Sequence, residues 1–476
     1  MGGFRMKKAV TMAMSLAAIV FAAVAQNNDS TATKQGQNEK TPAVEEQIAN
    51  IKGSVDGLNE SYLETKSSVA ALSKIKVSGY IQAQYMVADV KNSLSAMYSV
   101  PAGKVAATTY GRQEFMIKRG RLKTTYDAGL AQYVLELDAT QDGVGIKDAY
   151  AAFSEPWLKA FKLTMGAMDR PFGYEVSYSS SQLESPERSR IIGNVFPKEK
   201  DLGAMLEFAQ EDGPLSWFNF KGGVYNGMTN ITDEDDDYKD LIGRAGVKFP
   251  FPQAGLDIEG GVSGYFGKVT DFDTTSGGRA YKVNGTAWQV TTGQKGDLFD
   301  RKYYGADLQL YYATPVIGGT CLKGEYIQGY HPTKGGASDF YGSGASVTMA
   351  DPVYQRQIAG YYAYFIQNID PASLQLVVKY DLWDPNTQVS ESDFVDNATT
   401  KTTLTNQDLA YSTWGFGALY YLPWAPNVRL QLYYEIPKIE KLDASKVAAT
   451  SSLFKYTSYT SATNLNMLTF RVQFKF

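Results

Sequence analysis

From Asn464 to the terminal Phe476, Leu468, Phe470, Val472, Phe474 and Phe476 alternate with Thr469, Arg471, Gln473 and Lys475. Successive side chains of a strand point to opposite faces, so this segment has one apolar and one polar face. The same alternation recurs in segments beginning near Ile75, Glu114, Ala131, Ile146, Phe161, Leu202, Trp217, Leu241, Gly255, Arg301, Gly319, Tyr354, Ser373, Asp408 and Val428. That predicts an all-β chain of about sixteen strands, an even number as bacterial membrane barrels require. Parity assigns the faces. Phe218, Phe220 and Val224, Leu308, Leu310 and Tyr312, Leu374, Leu376 and Val378, and Leu430, Leu432 and Tyr434 fall on the apolar side. Lys221, Asp307, Gln309, Lys379, Asp381, Arg429, Gln431 and Glu435 fall on the polar side.

The connections alternate as well. Turn residues make tight links at Ala128-Gly129, Pro156, Gly213-Pro214, Pro250 to Pro252, Pro315, Asp370-Pro371 and Pro423 to Pro426. The intervening links are long: Ala88 to Arg112, Arg170 to Asp201, Asn226 to Asp240, Gly267 to Asp300, Tyr330 to Val353, Asp384 to Gln407 and Lys438 to Thr463, with the short Gln141 to Gly145 as the exception. Short turns on one side and long loops on the other are the pattern of an outer-membrane barrel. The closing strand, which stops on an aromatic residue, resembles the last strand of such barrels. In hydrocarbon an open sheet edge leaves backbone groups unpaired, so the strands must close into an antiparallel ring. A ring of about sixteen encloses a water-filled lumen.

The N-terminal region reads differently. Arg5, Lys7 and Lys8 precede an apolar run from Ala9 to Val20, and Ala23-Val24-Ala25 follows. These are the parts of a secretory signal over residues 1–25, with a run too short to span a membrane. Residues 26–43 are polar and form a flexible linker. Val44, Ile48, Ile51, Val55, Leu58, Tyr62, Val69 and Leu72 then recur at steps of four and three, with Thr65 as the polar occupant. The spacing predicts a coiled-coil helix over 44–73, roughly 40 Å long at 1.5 Å per residue. Gly53 and Gly57 each cost about 1 kcal/mol against Ala, so the helix is expected to need partners. Self-association fits best, the alternative being packing on its own barrel mouth; heptads do not separate dimer from trimer. The barrel then occupies 74–476, with this helix on the short-turn, periplasmic side.

Composition narrows the function. The chain has 33 Tyr, 44 Gly and 13% aromatic residues, and no later segment is long and apolar enough for a spanning helix. A net charge of -4 argues against bulk nucleic-acid binding. The single histidine, His331, lies in an expected outer loop, and no Cys/His cluster has zinc spacing. No enzyme, cofactor or metal site is expected. The acidic run Asp233 to Asp237 lacks the Gly and terminal Glu of a calcium loop. Candidate chemistry lies in the lumen. Arg119, Arg121 and Lys123 share one face of one strand, a cationic ladder in steps of about 7 Å. They either bias passing ions or pair with Glu136 and Asp138 on the next strand. Arg429 and Arg471 also face the lumen by parity. The Arg170 to Asp201 link (170–201) is rich in apolar residues and is expected to fold inward as a constriction. It carries Arg188, Arg190, Lys198 and Lys200 among Glu184, Glu187, Glu199 and Asp201.

Several segments then carry a likeness: FMIKRGRLKTTYDAGLAQYVLELD, IKDAYAAF, GAMDRPFG from Gly166 to Gly173, SPERS and DLGAMLEF. Together they resemble the phosphate-selective porin O/P family of Gram-negative outer-membrane channels, most closely from Arg112 to Phe208. The resemblance implies a trimer of sixteen-stranded barrels with an inward third outer loop and, in some members, a periplasmic coiled coil. It also implies cations at the constriction. Arg119 and Arg121 fall on the motif strand and Arg188 in the matching ERS segment, whereas the later strands carry no matching ladder. The expected function is an outer-membrane porin passing small hydrophilic solutes or ions, with outer-membrane lipid around it and a preference for phosphate-like anions. The alternative is a structural or adhesive protein that uses the barrel as an anchor and its outer loops as an interaction surface.

Overall fold

The computed structural model describes residues 44–88, 112–141, 143–227, 237–272, 279–292, 294–335, 351–458 and 466–476. The expected signal and linker, and all of the acidic run except Asp237, lie outside these residues. The chain divides into two units, 1–70 and 71–476. The first contains nearly all of α1 (Val44–Leu72), a continuous helix over the heptad segment. Ile51, Val55, Leu58, Tyr62, Val69 and Leu72 are exposed along it. The Thr65 hydroxyl, in the one polar seam position, donates to the Ser61 carbonyl at 2.8 Å.

The second unit contains β1 (Ile75–Ala88), β2 (Arg112–Asp127), β3 (Ala131–Thr140), β4 (Gly143–Ser154), β5 (Phe161–Asp169), β6 (Lys200–Ala209), β7 (Phe218–Tyr225), β8 (Asp240–Phe251) and β9 (Leu256–Thr270). It continues with β10 (Arg279–Asn284), β11 (Ala287–Thr292), β12 (Leu298–Thr314), β13 (Gly318–Lys334), β14 (Val353–Ile369), β15 (Leu374–Asp384), β16 (Tyr411–Tyr421), β17 (Val428–Ile439) and β18 (Met467–Lys475). Sixteen of these close an antiparallel ring in which β1 pairs with both β2 and β18, and β9 pairs directly with β12. Closure leaves no open edge to hydrocarbon.

The remaining two strands form a hairpin in the Gly267 to Asp300 link, where a loop is expected. The β10 strand pairs with β11 and lies parallel to the outer end of β14. Trp288 of β11 is buried, its backbone N–H donates to the Thr403 hydroxyl at 2.7 Å, and its ring lies 4.9 Å from the Arg356 guanidinium. Two other long links, Asp384 to Gln407 and Lys438 to Thr463, contribute the buried Phe394, Leu404, Leu442, Val447 and Tyr456 to the same apolar cluster. Strand β14 begins at the expected Val353, whereas β13 runs past Tyr330 to Lys334. His331 therefore stands on β13, fully buried, with Nδ1 2.7 Å from the Tyr303 hydroxyl. Asp408, expected to begin a strand, instead caps a short turn before Tyr411.

Parity sorts the wall as read in the regular strands. On β18, Phe470 is 44% exposed and Thr469 1%. Asp307, Gln309, Lys379, Asp381, Arg429, Gln431 and Glu435 are all buried on the inner face.

Candidate functional site: the lumen and its inward loop

Two strands break the parity rule, and each break places a lysine inside. Along β1 and β2, Gln82 pairs with Arg119 and Ala83 with Ile117, leaving Lys118 as the extra residue of a bulge. A bulge puts two residues against one and turns the side chains beyond it to the other face. Phe115 and Ile117, which share the parity of Arg119, accordingly point outward at 82% and 46% exposure. The second bulge lies between β3 and β4. Glu136 pairs with Asp148 and Leu137 with Ile146, so Lys147 is extra. Both Lys147 and Asp148 are buried.

The two bulge lysines engage the same partner, the link between β5 and β6. Lys118 lies 3.1 Å from Glu187, and Lys147 contacts the Glu199 carboxylate and donates to the Lys198 carbonyl at 2.7 Å. Glu187 also meets Arg119 at 3.2 Å and Arg471 at 3.1 Å. Burial opposes ionisation of Glu187, but Lys118, Arg119 and Arg471 outweigh it and hold the carboxyl down at about 2. Glu199 is likewise held below the usual carboxylate range, because the charges of Lys147 and Arg188 exceed the desolvation that opposes them.

The rest of the link is tied to inward residues around the ring. Arg471 of β18 donates to the Pro186 carbonyl at 2.8 Å, Gln431 of β17 to that of Glu184 at 2.7 Å, and Gln82 of β1 to that of Ser180 at 3.1 Å. Lys323 of β13 lies 2.7 Å from Glu184, and Tyr364 of β14 donates to Glu175 at 3.0 Å. Phe172 and Phe196 pack 4.9 Å apart, and Phe196 meets Tyr265 and Tyr303. The short helix α2 (Arg190–Val195) buries Ile191, Ile192 and Val195.

The segments that carry the porin O/P resemblance build this architecture. Gly166 has φ +129°, and a Cβ there would overlap the Ala149 carbonyl. Gly173 has φ +58°, a Cβ there would strike the Glu325 carboxylate, and its N–H donates to Ser263 at 2.9 Å. Both positions therefore require glycine. Arg170 lies 3.6 Å from Asp201, both fully buried. Ser185 meets the Tyr364 hydroxyl at 2.8 Å. Arg188 spans Glu199 at 2.7 Å and the carbonyls of Glu175 and Tyr178 at 2.5 and 2.8 Å.

The predicted cations are mostly committed to carboxylates. Arg121 lies 3.0 Å from both Glu136 and Asp138, and Lys123 sits 3.7 Å from Glu136 and 3.8 Å from Asp148. Lys200 meets Asp148 at 2.6 Å and Asp169 at 2.8 Å. Arg190 stacks 4.8 Å from the Tyr411 ring, and Lys198 is exposed. Arg429 donates to Gln473 at 3.2 Å and, among the described residues, has no ion pair. Sequence reasoning missed Lys118 and Lys147, which parity assigns outward and toward no partner.

A cavity of 350 Å³ is lined by Arg121, Lys123, Lys147, Arg188 and Lys200 together with Glu136, Asp148, Asp169 and Glu199. A second, of 450 Å³, lies between the inward link and the short-turn ends of β16, β17 and β18. The arrangement is a polar, charge-laced interior in which one long segment is tethered across the ring.

No family profile and no curated protein sequence matches the chain, so the porin O/P resemblance rests on the motif segments. Among solved structures, OprB of Pseudomonas putida, in its high-pH structure, is 8% identical with a TM-score of 0.52 over 86% of this chain and 96% of that one. The anion-selective porin of Comamonas acidovorans is 11% identical (TM-score 0.46; 84% and 99% covered), and the outer-membrane channel DcaP of Acinetobacter baumannii 12% (0.46; 84% and 97%). At 8% identity the likeness to OprB speaks to the fold alone, which the closed antiparallel ring shows by itself: a sixteen-stranded β-barrel with an apolar exterior.

Proposed function

We propose that the chain is an outer-membrane porin through which small hydrophilic solutes diffuse down their gradients. One observation carries this: the inner face of a closed sixteen-stranded ring is lined by charged and amide side chains, whereas its outer face is apolar. An anchor would not need so wide a ring, since eight strands already close a barrel filled by side chains. The link between β5 and β6 acts as the constriction, with Arg188, Lys198 and Lys200 among its cations and Arg119, Arg121 and Lys123 on the facing wall. Preference for anions comes chiefly from Arg429 and Lys475, which have no ion pair among the described residues, because the ladder residues are neutralised by neighbouring carboxylates. The α1 seam assembles with copies of itself on the periplasmic side, and three protomers fit the family resemblance.

Single-channel recording of the purified protein in planar bilayers under a salt gradient tests the reading. Stepwise conductance with an anion-side reversal potential is expected. A cation-side potential would remove the anion preference, and membranes that stay silent would favour the anchor. For the seam, native mass spectrometry should show the oligomer weakened when Val44 to Leu72 is deleted; an unchanged oligomer would make the helix a spacer.

A further inference from the structure

The 450 Å³ cavity at the short-turn end of the lumen has a lining unlike the ion-paired cavity beside it. Four tyrosines face it: Tyr174 and Tyr178 from the inward link, Tyr311 from β12 and Tyr421 from β16. Tyr174 and Tyr178 stack 5.1 Å apart into one aromatic wall, and the Tyr174 and Tyr311 hydroxyls meet at 3.3 Å. The rings of Tyr311 and Tyr421 have no aromatic or cationic partner among the described residues. Gln182 and Asn427 add exposed amides without side-chain hydrogen bonds among the described residues.

The charges are unbalanced. Glu184, the one acid of the lining, is neutralised by Lys323, whose ammonium also lies 4.1 Å from the Tyr178 ring. Arg429 and Lys475 are left over. Arg429 stands opposite Gln473 in the β17–β18 register, and Lys475 is the next residue on that face, about 7 Å along the strand.

A ligand that uses all three features must present an apolar ring face, several hydroxyls and a negative charge. Aromatic rings stack on apolar faces, amides donate to and accept from hydroxyls, and guanidinium and ammonium groups hold an anion by charge-assisted bonds. Inorganic phosphate would engage the cations but leave the tyrosines and amides idle. The volume lies within the roughly 300–1,000 Å³ of small-molecule pockets. We propose that this cavity is a binding subsite for an acidic sugar, its ring against Tyr311 and Tyr421 and its anionic group between Arg429 and Lys475. The proposal rests on the porin reading and names a solute class for it.

The test is current block in planar bilayers, using the full-length protein with digalacturonate, glucose 6-phosphate, maltose or acetate on the short-turn side. Digalacturonate should block at a concentration about tenfold below maltose and acetate, the loss of one charge-assisted bond being about that factor. Comparable block by glucose 6-phosphate supports the site as one for anionic sugars generally. Tyr311→Ala and Arg429→Gln should each weaken the block by about tenfold, and Tyr421→Ala on the rim gives the same readout if Tyr311→Ala does not assemble. Equal block by acetate would reduce the site to an ion site, and equal block by maltose would remove the role of Arg429. Open channels with no block overturn the subsite alone, whereas absence of channels overturns the porin reading with it.

Discussion

Strands β18 and β2 are neighbours of β1 on its two sides, yet one can be read by parity from end to end and the other cannot. On β18 every even-numbered residue from Leu468 to Phe474 points outward. On β2 the outward set changes parity at Lys118, from Phe115 and Ile117 to Leu122 and Tyr126. The difference is one inserted residue. Its effect is to aim a lysine at Glu187, and the same device on β4 aims Lys147 at Glu199. Arg471 of the regular β18 reaches the same segment without a break in parity, and the bulges add two lysines that unbroken parity would place outside.

The largest expected effect comes from placing charge on the outer face. A lysine near the bilayer midplane costs about 2–4 kcal/mol, a factor of roughly 30 to 1,000 in the folded-to-unfolded ratio. Phe470→Lys should therefore impair assembly far more than Thr469→Lys. On β2 the contrast takes another form: Ile117→Lys and Leu122→Lys, of opposite parity, should both impair it. Heat-stable assembly on gels reads all four. Normal assembly of Ile117→Lys with failure of Leu122→Lys would show β2 to be regular and would remove the bulge.

This comparison also explains what was legible beforehand. Alternation and turn chemistry are local, so strand starts such as Ile75, Ala131, Phe161 and Val428 coincide with those observed. A bulge leaves no mark of its own, because Lys118 and Lys147 look like ordinary polar residues until their cross-strand partners are counted. The β10–β11 hairpin did leave a mark. Asn284-Gly285 between two alternating runs is a strong hairpin signal, and Gly285 has the positive φ, 58°, that such a turn requires. The heptad spacing predicts a helix over 44–73, and α1 occupies Val44–Leu72. The pairing of the ladder with Glu136 and Asp138 was one of two alternatives the sequence left open, and the register of β2 on β3 decides it for Arg121 and Lys123.

A smaller effect separates the role of the anchors from that of the wall. Glu187 is the shared partner of Lys118, Arg119 and Arg471, so Glu187→Gln removes one negative charge and leaves three cations facing each other. The reversal potential should move toward anions, and open-channel noise should rise as the link loosens. Thr469→Gln on the regular strand changes neither charge nor tether and should leave both as they were. An unmoved potential in Glu187→Gln would mean that this carboxylate lies away from the conduction path.

The smallest effect is the pH dependence of the same anchor, and its sign follows from the direction of the shift. The Glu187 carboxyl is depressed from 4.5 to about 2 by Lys118, Arg119 and Arg471. A depressed acid stabilises the folded arrangement fully above its unfolded value, and that contribution is lost as pH falls toward the folded one. Channel noise should thus stay level from pH 7 to about 5 and rise only as pH falls from about 4.5 to about 2. The Glu187→Gln channel should already be noisy at pH 7 and show no further step there, while Lys118→Gln should move the wild-type step upward by weakening the field on the carboxyl. A sharp wild-type transition completed near pH 4.5 would show Glu187 to be an ordinary carboxylate, and the bulge at Lys118 would then be a feature of the wall without an anchor.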